Sequence, residues 1–306
     1  MEQKRIIVTG ATGSIGCAIV KQAVARGYDV TCVVHCGSSR VGNIMRDAHV
    51  HIIEYNVSDY ESLTLDGKYD VLIHLAWEKT YGALRDDVDI QTRNIQYTLD
   101  ACRLAKRCGC EVFIGAGSQA EYGVKDEPLT PELPVQPESG YGIAKYAAGK
   151  MSLMLCKQLG IRGNWIRIVS VYGPQDGANT LANYTIGELK AGRSPKLTKC
   201  EQMWDYLCAD DAADGFLDVA ERGKDGQIYV IGSGVHRKLY EYINDIRAIV
   251  NPDVEADFGA IAYYPHQPMY LLADISRLTE DTGWKPKYTF VEGIRNMISN
   301  FSDDER

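Results

Sequence analysis

The sequence predicts an α/β fold: a doubly wound parallel sheet with a smaller C-terminal region beside it. Three observations predict this. Short β-branched runs alternate with longer amphipathic stretches through the first two-thirds of the chain. A glycine-rich turn separates the first run from the first amphipathic stretch. After Pro174 the alternation weakens into helices mixed with short strands. Strand and helix in regular alternation mean parallel strands joined by crossover helices.

Lys4–Thr9 (KRIIVT) reads as a buried strand, and Ile15–Arg26 as a helix closed by Gly27. Val30–Val34, Val50–Tyr55 and Val71–Leu75 read as the second to fourth strands. Ile90–Arg107 is helical, with Ile95, Leu99, Cys102 and Leu104 along one stripe. Val112–Ile114 is a fifth strand, Ala144–Leu159 a helix and Gly163–Val171 a sixth strand. Between them, Asp126–Ser139 carries four prolines and three glutamates and reads as an exposed excursion. Beyond Pro174, helices are expected at Leu181–Ala191, Asp211–Arg222 and Leu239–Val250, with Ile228–Ile231 as a further strand. The division expected is 1–172, mainly the sheet domain, and 173–306, mainly the smaller region, with 227–232 returning to the sheet.

The chain has 306 residues, 45% hydrophobic and 24% charged, which suits a soluble globular protein with an ample core. Its formal net charge of -8 argues against nucleic acid as a partner. The N-terminal MEQKRIIVTG has no apolar leader, and no stretch has the length of a membrane span, so a cytoplasmic location is expected. Nine scattered cysteines fit reduced thiols in that compartment. Cys108 and Cys110 lack a second pair at zinc spacing, so no metal is expected.

Gly10-Ala11-Thr12-Gly13-Ser14-Ile15-Gly16 follows a strand and opens a helix. Gly10 permits a tight turn, Gly13 lets a pyrophosphate approach the backbone, and Gly16 allows close helix–strand packing. The helix N-terminus offers free N–H groups to phosphate. The context points to a dinucleotide. An acid at the end of the second strand would bind the adenosine ribose hydroxyls, yet the segment reads Val33-Val34-His35-Cys36-Gly37-Ser38-Ser39-Arg40. Ser38, Ser39 and Arg40, with His35 beside them, offer hydroxyl and guanidinium donors to a 2′-phosphate. NADP is therefore favoured over NAD.

Tyr141 and Lys145 stand four apart near a helix start and share one face. An ammonium there lowers a phenol pKa, so Tyr141 can carry a proton as hydride moves. Ser118 lies at the carboxyl edge of the fifth strand, where open α/β sheets bind ligands. Its hydroxyl can polarise a carbonyl.

With these motifs the sequence resembles the extended short-chain dehydrogenases/reductases, the NAD-dependent epimerase/dehydratase group. The resemblance rests on Thr9–Gly16, Asn56–Asp59, His74-Leu75-Ala76, Asn94 with Thr98, Gly117–Gly123 and Tyr141–Lys145. It continues through Arg167, Val171-Tyr172-Gly173-Pro174, Trp204–Asp211, Gly283-Trp284 and Pro286. It implies a seven-stranded Rossmann sheet and a nucleotide diphosphate-sugar as substrate. Asn56 and Val57 then flank the adenine, although Asn56 stands where the family usually has aspartate. Leu75, Ala76 and Trp77 line the dinucleotide, and Lys145 also binds the nicotinamide ribose. Ser170 and Trp204 depart from the family pattern, the latter where an arginine often contacts phosphate. Trp77, Ser118, Gln119, Asn179 and Trp204 are expected at the substrate.

The resemblance also orders the reactions. The family's dehydratases carry an aspartate and a glutamate where Gln119 and Ala120 stand, which argues against elimination. Ala120 also replaces a cysteine used by one epimerase group. The expected activity is NADPH-dependent reduction of a keto group, C4 by preference, with the proton from Tyr141. The alternatives are an NAD-dependent 4-epimerase and a non-enzymatic dinucleotide-sensing protein. The helices around 90–107 and 141–158 resemble a family dimer interface, so a homodimer is expected. His74 reads as a structural histidine, Tyr263, Tyr264 and His266 as a packed surface loop, and Asp303-Asp304-Glu305 as a solvated tail.

Overall fold

A computed structural model describes residues 3–264 and 267–303, with side chains to residue 299. His266, Asp304 and Glu305, assigned above to a loop and the tail, lie outside the described residues.

Seven strands are β1 (Arg5–Thr9), β2 (Asp29–Val34), β3 (Val50–Glu54), β4 (Val71–His74), β5 (Val112–Ser118), β6 (Arg162–Ile168) and β7 (Ile228–Ile231). They form one parallel sheet in the order β7-β6-β5-β4-β1-β2-β3. The chain runs outward from β1 to β3, then returns to place β4 on the other side of β1. That reversal opens a crevice at the carboxyl ends of β1 and β4, where such sheets bind ligands.

Side-chain alternation separates two cores. Ile6, Val8 and Val30 face helices α1 (Ser14–Ala25) and α5 (Ala209–Arg222), with Ile19, Phe216 and Trp284 in the same cluster. Ile7, Leu72 and Phe113 face α2 (Val88–Arg107) and α3 (Gly140–Leu159), with Leu104, Cys102 and Cys156. A sheet covered on both faces explains why its strands read as nearly continuous apolar runs. In the C-terminal region, α4 (Leu181–Lys190), α6 (Leu239–Val250) and α8 (Phe290–Asp303) enclose a third cluster around Ile186, Leu189, Ile246 and Ile294. No helix among the described residues is long and apolar enough to cross a membrane.

Three elements differ from expectation, each for a local reason. β5 runs four residues beyond Ile114, through Gly115 and Gly117. The Trp165 ring occupies the space that a Cβ at either glycine would need. α3 starts at Gly140, not Ala144, because Ser139 caps it, its Oγ accepting from the Gly142 amide at 3.1 Å. The sixth strand ends at Ile168. Val171-Tyr172 leaves the sheet and pairs with Leu207-Cys208 instead.

Candidate active site

The glycine turn lies at the crevice between β1 and β4. Gly10 has φ +70°, and a Cβ there would sit 2.7 Å from the Ala76 amide nitrogen. Gly16 meets the same turn from the helix side: its Cβ would lie 2.5 Å from the Gly10 carbonyl oxygen. Both are glycines because backbones touch there. Gly13 is different. The nearest protein atom to a Cβ at Gly13 is 3.5 Å away, so its bare surface fronts open space. That space is a cleft of about 500 Å³ lined by Gly10, Thr12, Gly13, Val33, His35, Arg40, Val57, Leu75, Ala76 and Trp77. A cradle of backbone at a helix N-terminus, continued by apolar strand ends, fits a dinucleotide.

Other residues expected here are placed differently. Ser14 is buried and faces a separate small cavity with Lys21 and Pro174, and Ile15 packs on the α1 core. The Asn56 side chain accepts from the Cys36 amide at 3.2 Å, joining the ends of β2 and β3. Ser38 Oγ accepts from the Arg40 amide at 3.3 Å, and Ser39 is exposed. Arg40 donates from Nη2 to the Gln175 carbonyl at 2.6 Å, so its guanidinium spans from the turn to the loop after Pro174.

The Tyr141 phenol is pushed up to about 12, chiefly by burial, while contact with the Ser118 side chain and the charge of Arg85 pull it down. Lys145 is buried, and desolvation lowers its ammonium to about 7. Its Nζ donates to the Ala116 carbonyl at 2.7 Å and lies 3.7 Å from the centre of the Trp77 ring. It is 5.8 Å from the centre of the Tyr141 ring. Ser118 and Arg85 are thus the groups that pull the phenol down, while the Lys145 ammonium is turned to Trp77 and the β5 backbone. Trp77 stands edge-on to Tyr141, ring centres 5.9 Å apart, with its indole N–H donating to Gln91 at 3.0 Å.

Arg85, whose guanidinium carbon lies 4.9 Å from the Tyr141 ring centre, lines a larger cleft of about 1010 Å³. This cleft gathers Gln119, Asn179 and Trp204, three of the residues expected at the substrate, from three separate parts of the chain. Trp204 is anchored by an indole hydrogen bond to Ser170 Oγ at 3.1 Å. Trp77 belongs to the wall of the dinucleotide cleft, and Ser118 ends β5 one residue before Gln119, which lines the larger cleft.

The sequence profile described as the NAD dependent epimerase/dehydratase family matches residues 6–232. The chain belongs to this family. Among its relatives, UDP-glucose 4-epimerase of Mycolicibacterium smegmatis is 27% identical over 318 residues, covering 97% of this chain and 98% of the relative. CDP-abequose synthase of Salmonella typhimurium is 26% identical, covering 96% and 97%. The structure of UDP-N-acetylglucosamine 4-epimerase from Methanobrevibacter ruminantium superposes with a TM-score of 0.89 at 22% identity, covering 99% of this chain and 100% of that one. UDP-glucuronic acid 4-epimerase from Bacillus cereus, solved in complex with NAD, gives 0.85 at 21% identity, covering 99% and 100%.

Two parts of the site in this epimerase/dehydratase-family enzyme escaped sequence reasoning. Glu121 lies directly under Ser118. One carboxylate oxygen accepts from the Ser118 amide and the Trp165 indole, both at 2.9 Å, and the other from Arg167 Nε at 2.8 Å. The side chains of Arg167 and Glu121 are only 2% and 1% exposed, so this is a fully buried ion pair that fixes the end of β5. Each hydrogen-bonding oxygen is used, which offsets the cost of burying the charges. The second is Arg85, whose guanidinium carbon lies 4.9 Å from the Tyr141 ring centre. The Gly117–Gly123 motif contained Glu121, but nothing in its spacing distinguished a buried pairing partner from a cleft acid. Arg85 lies in a stretch with no periodicity to flag it.

Proposed function

We propose that this enzyme is an NAD-dependent 4-epimerase of a nucleotide diphosphate-sugar. The observation that carries the reading is that the Tyr141 ring touches Trp77, in the wall of the dinucleotide-shaped cleft, and Arg85, in the wall of a larger, open-sided cleft. The dinucleotide, when bound, supplies the hydride chemistry. Tyr141, acting as its phenolate, takes the proton from a sugar hydroxyl as hydride leaves the carbon and returns it to the keto oxygen as hydride comes back, with Ser118 aligning the same oxygen. Lys145, in reach of the groove wall, orients the ribose. Glu121 and Arg167 hold Ser118 in register.

An epimerase must present both faces of one keto carbon to a single hydride donor while its oxygen stays in reach of the phenol, so the sugar has to turn in place. The larger cleft is at the upper end of the size range for small-molecule pockets and offers room for that turn. Elimination is unsupported: Gln119 and Ala120, neither of them an acid, follow Ser118, and the nearby Glu121 carboxylate is committed to Arg167. The relatives named above as 4-epimerases support the same choice.

Two contacts support NAD over the NADP favoured by sequence. Arg40, the proposed phosphate ligand, spends a guanidinium N–H on Gln175. Glu54, at the end of β3, accepts from the Gly37 amide at 3.0 Å and brings a carboxylate to the segment where a 2′-phosphate would lie. The second reading, an NADPH-dependent ketoreductase, keeps one observation in its favour: His35 to Arg40 contains no acid.

Cofactor content separates the two. Freshly purified protein is expected to carry tightly held NAD and to interconvert 4-epimers without net redox change. Protein that arrives empty and oxidises NADPH on addition of a 4-keto sugar nucleotide would replace the epimerase reading with the reductase.

We also infer a homodimer formed by α2 and α3. α3 leaves Ile143, Met151 and Met154 exposed on its outer side, as a helix does when a partner covers it.

A further inference from the structure

Arg85 is held in place with unusual redundancy. The segment before it, Trp77 to Leu84, is pinned by two buried amides of α2. Asn94 exchanges hydrogen bonds with the backbone of Glu78, accepting at 2.9 Å and donating at 3.0 Å. Gln91 donates to the carbonyls of Lys79 and Leu84 at 3.1 and 3.4 Å. Lys79 adopts φ +57°, a left-handed conformation unfavourable for a residue with a side chain. Immediately after Arg85, Asp86 accepts from the Gly140 amide at 2.7 Å, which ties the segment to the start of α3.

Apart from its contact with the Tyr141 ring, the guanidinium so positioned is not used by the protein. Its Nε is buried and has no hydrogen-bond partner, and among the described residues Arg85 makes no ion pair. It lines the larger cleft together with Gln119 and Asn179. Asp86, the acid next to it, has an oxygen committed to Gly140. A planar guanidinium with open donors in a substrate cleft is suited to a carboxylate or phosphate oxyanion.

We propose that Arg85 grips an oxyanion of the substrate beside Tyr141, a role that rests on the nucleotide diphosphate-sugar reading. Two groups on such a substrate carry that chemistry: a carboxylate on the sugar ring and the phosphate that bears the sugar. Proximity points to the ring. The reacting carbon must lie within hydrogen-bonding reach of the Tyr141 phenol, and the guanidinium carbon stands 4.9 Å from that ring's centre. A group held by Arg85 is therefore close to the carbon that reacts, and the preferred substrate is a sugar acid.

Calorimetric titration of the full chain with UDP, UDP-glucose and UDP-glucuronate, in wild type and in Arg85→Gln and Arg85→Lys, tests this. Wild type is expected to bind UDP-glucuronate about ten-fold or more tighter than UDP-glucose, and Arg85→Gln to lose that preference while binding the other two unchanged. A similar loss for all three ligands in Arg85→Gln, partly restored in Arg85→Lys, assigns the contact to phosphate and still supports the oxyanion role. Arg85→Gln binding all three ligands as wild type does overturns the proposal and leaves the epimerase reading standing. NAD titration verifies that each variant keeps the dinucleotide cleft. Wild type that binds none of the UDP ligands, nor the diphosphates of thymidine, cytidine and guanosine, removes the nucleotide-sugar reading and this proposal with it.

Discussion

His74 ends β4 two residues before the crevice floor, with Nδ1 2.9 Å from Thr9 Oγ1 and Nε2 3.4 Å from Thr98 Oγ1. Burial, with the charge of Lys145 as a smaller cause, depresses its pKa to about 3. It is therefore neutral in the folded protein at any ordinary pH. The unfolded chain binds a proton at this residue below about 6.5, and the folded chain does not. The contribution is fully present above the unfolded value and is lost as pH falls toward the folded value. Urea unfolding should show wild type losing about 2–3 kcal/mol from this residue between pH 7 and pH 4.5. His74→Gln should show a correspondingly shallower decline over the same interval. Equal declines in the two proteins would mean that His74 is protonated in the fold. The sequence identified His74 as structural from its place at a strand end. Ser118, Tyr141 and Lys145 were readable as candidates, because their spacing and topological positions are local properties. The sequence missed Arg85 and Glu121, since each acts through partners remote in sequence: Arg85 on Tyr141, and Glu121 on Trp165 and Arg167.

At the scale of elements, the glycine turn was legible because Gly10 and Gly16 answer backbone contacts at fixed spacing and Gly13 borders the cleft between them. Gly16→Ala would force a methyl group to within 2.5 Å of the Gly10 carbonyl oxygen and 2.7 Å of Ala11 Cα. Overpacking of that kind typically costs about 1–3 kcal/mol, so thermal denaturation should show a lowered Tm and NAD titration a weakened or absent site. Unaltered NAD affinity would show that the turn is not the pyrophosphate cradle. The elements read less accurately were those shaped by distant packing. The start of α3 hid behind Gly140-Tyr141-Gly142, residues poor in helix propensity, although the Ser139 cap and close approach to the Ala120 carbonyl require that helix start. The end of β5 hid behind two glycines whose reason is the Trp165 ring, supplied by the neighbouring strand. The Trp204–Asp211 and Gly283-Trp284 motifs were visible, but their physical role was not. Asp205 is a buried hub accepting from the amides of Ser233, Gly234 and Ala273. Asp211 accepts from the amides of Lys287 and Tyr288, and its carbonyl accepts from the Trp284 indole. These motifs join the C-terminal region to the sheet.

At the scale of the whole molecule, the reversal of strand order between β1 and β4 opens the cleft at Gly10, Leu75 and Ala76. The alternation of strands and helices made the sheet predictable; the reversal and the second cleft depend on how the chain returns. The outer side of α3 adds a further expectation. Met154, 64% exposed, should lie under the partner subunit. Sedimentation should find wild type as a dimer and Met154→Glu shifted to monomer, whereas a monomeric wild type would remove the inferred interface. The central claim concerns the proton carried by one phenol. Tyr141→Phe deletes that oxygen and leaves the ring packed against Trp77 and Arg85. Its most direct measurement is the rate of 4-epimer interconversion alongside NAD binding in the same preparation. The account predicts unchanged NAD binding with turnover reduced by about 10²–10⁴-fold. Turnover equal to wild type in Tyr141→Phe would contradict it.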